Sequence, residues 1–276
     1  VSASTPPDPA ESGLEVRTDF VRSRHALVAR ADFSEFYVDY YLHLAANGLH
    51  PAAAHDRLFK QALAAFVLHC ASRPWNELIA WTINFQSPLV NVFLVGDNDT
   101  GAIAGRVFAD QVKQGPEGLF FSDVVRLGEP KRRSAVGFQG GDPFAAAERF
   151  YAQSEQRLVR CFELAEEEFA LVCEHPDADL TWLRGLTLGQ ARALDADETL
   201  APMERRIYRW HCGCNQARML EVLAPPMRAD PEALFGGDDT LELRCPRCGA
   251  RHVVTREAMD AYLAANGDAS APEENS

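Results

Sequence analysis

Apolar residues change their spacing several times along the chain, and each change marks a change of structure. Phe36, Tyr37, Tyr40, Tyr41 and Leu44 recur at helical spacing up to Gly48. After Pro51, Phe59, Leu63, Phe66 and Val67 do the same, so two packed helices are expected, with the aromatic stripe as core. From Leu78 the pattern turns into short β-rich runs at 79–85, 90–95, 102–109 and 118–125. Ser87-Pro88 and Asp97-Asn-Asp-Thr-Gly101 divide them as in antiparallel hairpins. A helix is expected over 143–153, then strands over 158–164 and 169–173. Beyond Glu174 come a loop at 175–179 and a polar, acidic stretch in which Leu183, Leu186, Leu188, Ala191 and Leu194 are scattered. This stretch reads as a partly helical linker with little apolar surface to hold it. From Tyr208 the pattern predicts a small domain with a helix at 216–223, strands at 240–243 and 252–254, and a last helix at 256–265 capped by Thr255.

The expected class is α+β. An N-terminal antiparallel-sheet domain with packed helices spans 14–175, a short helical linker 176–207, and a small C-terminal four-cysteine zinc domain 208–266. The ends, 1–13 and 267–276, are poor in apolar residues and rich in breakers, and are expected to be disordered.

Composition narrows the function classes. With 276 residues and 47% hydrophobic content the chain can bury one good core and a small satellite. Its 27 basic and 40 acidic residues give a formal charge of -13, which disfavours nucleic acid and anionic membrane as partners. No signal segment and no apolar run of membrane-spanning length is present, so a cytoplasmic protein is expected. Seven cysteines, four of them in two tight pairs, fit a reducing compartment with a metal site.

Those pairs are Cys212-Gly-Cys214 and Cys245-Pro-Arg-Cys248. Two thiolates at each of two knuckles can close a tetrahedral shell that suits Zn2+. A closed shell leaves no position for a hydrolytic water, and no His-Glu-x-x-His, Gly-x-Ser-x-Gly or Gly-x-x-x-x-Gly-Lys pattern occurs, so no enzyme is expected. His211 and His252 flank the knuckles without being needed as ligands. Cys161 and Cys173 read as buried, inert thiols on adjacent strands, and His69-Cys70 as helix core. Gly137-Phe-Gln-Gly-Gly141 reads as a turn, Glu166-Glu-Glu168 as a solvated hairpin tip, and Lys131-Arg-Arg133 as a local basic patch.

The cysteine pattern resembles that of the heat shock protein 33 family, C-x-C, a spacer, then C-x-x-C followed by Gly, here Cys212, Cys214, Cys245, Cys248 and Gly249. Phe150-Tyr-Ala-Gln-Ser154-Glu155-Gln156 is similar to that family's Tyr-Phe-x-x-Ser-Glu-Gln segment. The resemblance implies an ATP-independent holdase, inactive while reduced and zinc-bound. On oxidation by peroxide or hypochlorous acid it would release zinc, form the disulfides Cys212–Cys214 and Cys245–Cys248, and bind unfolded or aggregation-prone client proteins. It also implies that activation favours a homodimer. The linker here, about 177–209, is shorter than the family's. The alternative is a zinc-stapled module that binds a fixed partner constitutively, for instance nucleic acid through Lys131, Arg132 and Arg133.

Overall fold

The computed structural model describes residues 13–266, so the two expected tails lie outside the described residues but for Gly13. The chain forms two compact units that divide between Cys212 and Gly213.

In chain order the first unit comprises β1 (Leu14–Val21), β2 (Ala26–Asp32), α1 (Ser34–Ala46), α2 (Ala53–Ala71), β3 (Leu78–Gln86), β4 (Leu89–Asp97), β5 (Ala102–Phe108), β6 (Gly118–Val125) and β7 (Arg132–Phe138). There follow α3 (Pro143–Phe150), β8 (Val159–Ala165), β9 (Glu168–Glu174), α4 (Leu180–Gly185), α5 (Leu188–Arg192), α6 (Leu194–Asp197) and β10 (Leu200–Trp210). The ten strands form one sheet in the order β7-β6-β3-β4-β5-β10-β1-β2-β9-β8. Neighbours pair antiparallel except β5 and β10, which run parallel.

Strand periodicity sorts the side chains into two cores. In β9, Phe169, Leu171 and Cys173 enter the large core while Ala170 and Val172 enter a second one, so this strand is buried on both faces. The large core takes α2, buried on nearly every side along Leu58–Ala71, together with Phe36, Tyr37 and Tyr40 of α1. Phe120 stacks on Phe150 at 4.7 Å, and Trp81 meets Phe120 edge-on at 4.8 Å.

The second core corrects the expectation for the linker. Leu183, Leu186, Ala191 and Leu194 of α4–α6 are all buried against Val21, Val28, Phe162 and Val172 of β1, β2, β8 and β9. Spacing alone hid this because three helices of 6, 5 and 4 residues each bury only one residue, Leu183, Ala191 and Leu194. The rest of that stretch is β10, an 11-residue strand. Pro202 argues against a central strand, but the register with β1 shifts there, between Thr18/Glu204 and Asp19/Pro202, and the proline sits at that irregularity. The helix expected over 143–153 ends as an α-helix at Phe150 and continues as a π-helical turn, Tyr151–Glu155.

The second unit holds α7 (Gln216–Ala229), α8 (Pro231–Phe235), β11 (Thr240–Arg244), β12 (Arg251–Thr255) and α9 (Arg256–Ala265). Its core is small: Leu223, Ala224, Met227, Phe235, Val254 and Met259. The helix expected over 216–223 runs on through Pro225 and Pro226, and this continuation brings Ala224 and Met227 into the small core beside Leu223.

Candidate metal centre

The second cysteine pair sits in the turn between β11 and β12. Cys245 N donates to Ala250 O at 2.8 Å and Gly249 N to Cys245 O at 2.9 Å, which curls the chain around the sulfurs. Gly249 has φ +76, a conformation that explains glycine directly after Cys248. The first pair follows the end of β10, and Gly213 between its cysteines has φ +66. Asn215 caps α7 by accepting from Arg218 N at 2.9 Å, so the helix starts directly behind Cys214.

The four sulfurs of Cys212, Cys214, Cys245 and Cys248 all lie within 4.8 Å of one another, with Cys214 and Cys248 3.6 Å apart. Sulfurs about 2.3 Å from a central ion at tetrahedral corners stand about 3.8 Å from each other, so this donor set is able to hold a metal ion. Cys245 and Cys248 are buried and Cys212 and Cys214 half-buried, which makes the first pair the more accessible to solutes. His211 is exposed, and His252 Nε2 is buried without a hydrogen-bond partner.

The remaining cysteines behave as core. Burial pushes the Cys161 thiol well above its ordinary value, and that of Cys173 up to about 11. Both are therefore protonated and unreactive in the folded chain. Cys70 is likewise raised by burial. His69 is fully buried, its Nδ1 2.5 Å from Tyr151 Oη, and burial first, then Arg73 and Arg157, push its pKa well below the ordinary value.

Two ionic features escaped the sequence. The first is Glu77, whose side chain is fully covered and accepts from Arg73 and Arg126 at 2.9 and 2.6 Å. Burial alone would raise this carboxyl, but those hydrogen bonds and charges outweigh it and hold it below its ordinary value. Arg132 also reaches Glu77, while Lys131 and Arg133 pair with Asp123, so the basic patch is matched by acids. The second is a set of clamps on the strap formed by α4–α6. Arg24 of the β1–β2 turn binds Asp179 at 3.0 Å and Glu198 at 2.8 Å, and Arg30 of β2 grips both oxygens of Asp195 at 2.7 and 2.9 Å. No local spacing in the sequence joins these residues. Glu166–Glu168 does form the β8–β9 turn, but Glu167 is tied to Lys60 at 2.5 Å.

A ten-stranded sheet with helices on both faces, together with four convergent cysteines toward the C-terminal end of the chain, defines an α+β protein with a candidate thiolate metal centre. The fold is similar to the solved structure of the 33 kDa chaperonin, heat shock protein 33 homologue, of Thermotoga maritima. The TM-score is 0.69 at 12% identity, over 93% of this chain and 100% of that one. At that identity the likeness is one of fold. No family model matches the chain, and no curated protein matches it. Among the described residues no helix is long and apolar enough to cross a membrane.

Proposed function

We propose that the chain is a redox-controlled, ATP-independent holdase of the cytoplasm whose sensor is the four-cysteine cluster and whose metal is zinc. The observation that carries this reading is the convergence of four thiols, three of them in a unit with so small an apolar core. Four thiolate donors favour a borderline-soft ion, and structural zinc supplies an apparent ~10–16 kcal/mol of folding free energy. A bound zinc ion holds the sulfurs as thiolates, the form oxidants attack.

Cys212 and Cys214 are the more exposed pair and the first to react. One thiolate attacks a peroxide oxygen, giving a sulfenic acid and hydroxide. Its neighbour displaces the second hydroxide and closes the S–S bond, so each disulfide consumes one peroxide. Cys245 and Cys248 react likewise, and the cluster loses its donors. The client surface in this reading is the apolar sheet face beneath the strap, Val21, Val28, Phe162 and Val172, which α4–α6 cover in the resting fold. No chemical step on a client is required, so the protein is not an enzyme. The likeness in fold to a 33 kDa chaperonin supports the same reading.

The test is the aggregation of a thermally unfolding client, followed by light scattering with reduced zinc-loaded protein and with peroxide-treated protein. Suppression confined to the treated form is expected. Equal scattering with both forms would refute the switch.

A further inference from the structure

The ten-stranded sheet is two antiparallel halves, β7-β6-β3-β4-β5 and β10-β1-β2-β9-β8. Among the described residues they are joined where β10 lies parallel to β5, over two residue pairs, Arg209↔Ala102 and Trp210↔Ile103. By contrast, β10 pairs with β1 along its length, from Leu14↔Tyr208 to Val21↔Leu200. The seam carries the backbone bonds Arg209 N to Gly101 O at 2.9 Å and His211 N to Ile103 O at 2.8 Å. Parallel pairing is the less stable kind, and so short a ladder has no interior. Close approach is built into it. Gly101 has φ +70, and a Cβ there would stand 2.3 Å from Ile207 O.

Side chains add to the ladder: Tyr208 Oη donates to Asn98 Oδ1 across the seam at 3.1 Å, and Trp210 ties the seam to the helices. The Trp210 indole packs on Tyr40 at 5.2 Å, His43 at 5.6 Å, Phe36 at 6.1 Å and Phe59 at 6.4 Å, from α1 and α2. Its Nε1 is buried without a hydrogen-bond partner, which weakens the nest. The residue after the last seam donor is Cys212. At its other end, β10 begins at Leu200, which packs on the core beneath the strap.

We propose that the β5–β10 seam is a release point governed by the cysteine cluster. While Cys212 is held among the four sulfurs, the chain just past Trp210 is anchored and the two-pair ladder cannot fray. Once Cys212 leaves the cluster, the ladder becomes a loose strand end, the seam opens, and Trp210 withdraws from α1 and α2. β10 keeps its long pairing with β1, so the sheet parts at the seam and not within either half. The link to activation rests on the redox reading, whereas the opening itself requires only loss of the metal-held cluster.

The test is hydrogen exchange on the full chain, loaded with zinc and then stripped by a chelator under reducing conditions. The Arg209 and His211 amides should exchange at least about tenfold faster after stripping, while Arg206 and Tyr208, paired with Val16 and Leu14, keep their protection. Unchanged exchange at Arg209 and His211 would overturn the inference. Gly101→Ala should open the seam in the zinc-loaded protein without altering exchange in 213–266. A folded Gly101→Ala protein with a protected seam would also overturn it, and should that variant not fold, the stripped wild type decides. A parallel client assay separates the two readings. Client protection gained with a closed seam sinks the release point alone, and an open seam without client protection sinks the holdase reading alone.

Discussion

Leu183→Ala tests whether the strap hides the client surface. Leu183 is fully buried in the second core, whose sheet side is Val21, Val28, Phe162 and Val172. Truncating a leucine so buried costs about 2–5 kcal/mol. α4, α5 and α6 are each far shorter than the ~12–15 residues an isolated helix needs, so their order comes from packing. The loss therefore falls on the strap, while the large core, which does not include Leu183, is spared. At about 1.4 kcal/mol per factor of ten, the open population of the strap rises about thirty-fold at the low end and over a thousand-fold at the high end. Native-state hydrogen exchange of residues 180–197 in the reduced, zinc-loaded protein measures that rise, and light scattering of an unfolding client measures its consequence. Client aggregation should fall without oxidant. A strap shown to be open by exchange, with clients still aggregating freely, would refute the assignment of the client surface to the sheet face below it.

Other perturbations probe the scaffold and its pH response. Glu77→Gln removes a charge that Arg73 and Arg126 share but leaves them Glu155 and Glu129, so urea unfolding should show a loss of about 1–3 kcal/mol; no measurable change would contradict the account of Glu77 as the shared partner of the two arginines. His69 is held neutral by burial, so below its ordinary value of 6.5 the unfolded chain binds the extra proton and stability falls with pH. The slope from this group is at most about 1.4 kcal/mol per pH unit, present below about 6.5 and absent above it. His69→Gln should flatten urea midpoints between pH 6.5 and 5 relative to wild type, and parallel curves would show that His69 is not the titrating group.

Much of this architecture was legible in the amino-acid order because local rules and tertiary structure agree. The hairpins β3–β4 and β4–β5, the helices α1 and α2 and the two cysteine turns carry their own periodicity or turn residues. β1 is just as legible, with Leu14, Val16 and Thr18 buried between exposed Glu15 and Arg17. β10 was hidden for a physical reason, since Pro202 and a run of arginines mimic a linker while Ile207, Tyr208 and Trp210 find their partners more than 90 residues away in the chain. The strap was not legible because its leucines gain meaning only against the face of β9 and β2 that points away from the large core. The clamps of Arg24 and Arg30 span intervals of 155 to 174 residues, which no local pattern encodes.

The claim that the four-cysteine cluster is the sensor is tested most directly by one time course on reduced, zinc-loaded protein treated with peroxide, following free zinc, remaining thiols and client scattering together. The account predicts one zinc ion released per chain, loss of the four thiols of Cys212, Cys214, Cys245 and Cys248 with Cys70, Cys161 and Cys173 spared, and client protection rising in step with both. Client protection that is already complete before zinc leaves, or zinc released and thiols lost with no protection gained, would contradict it.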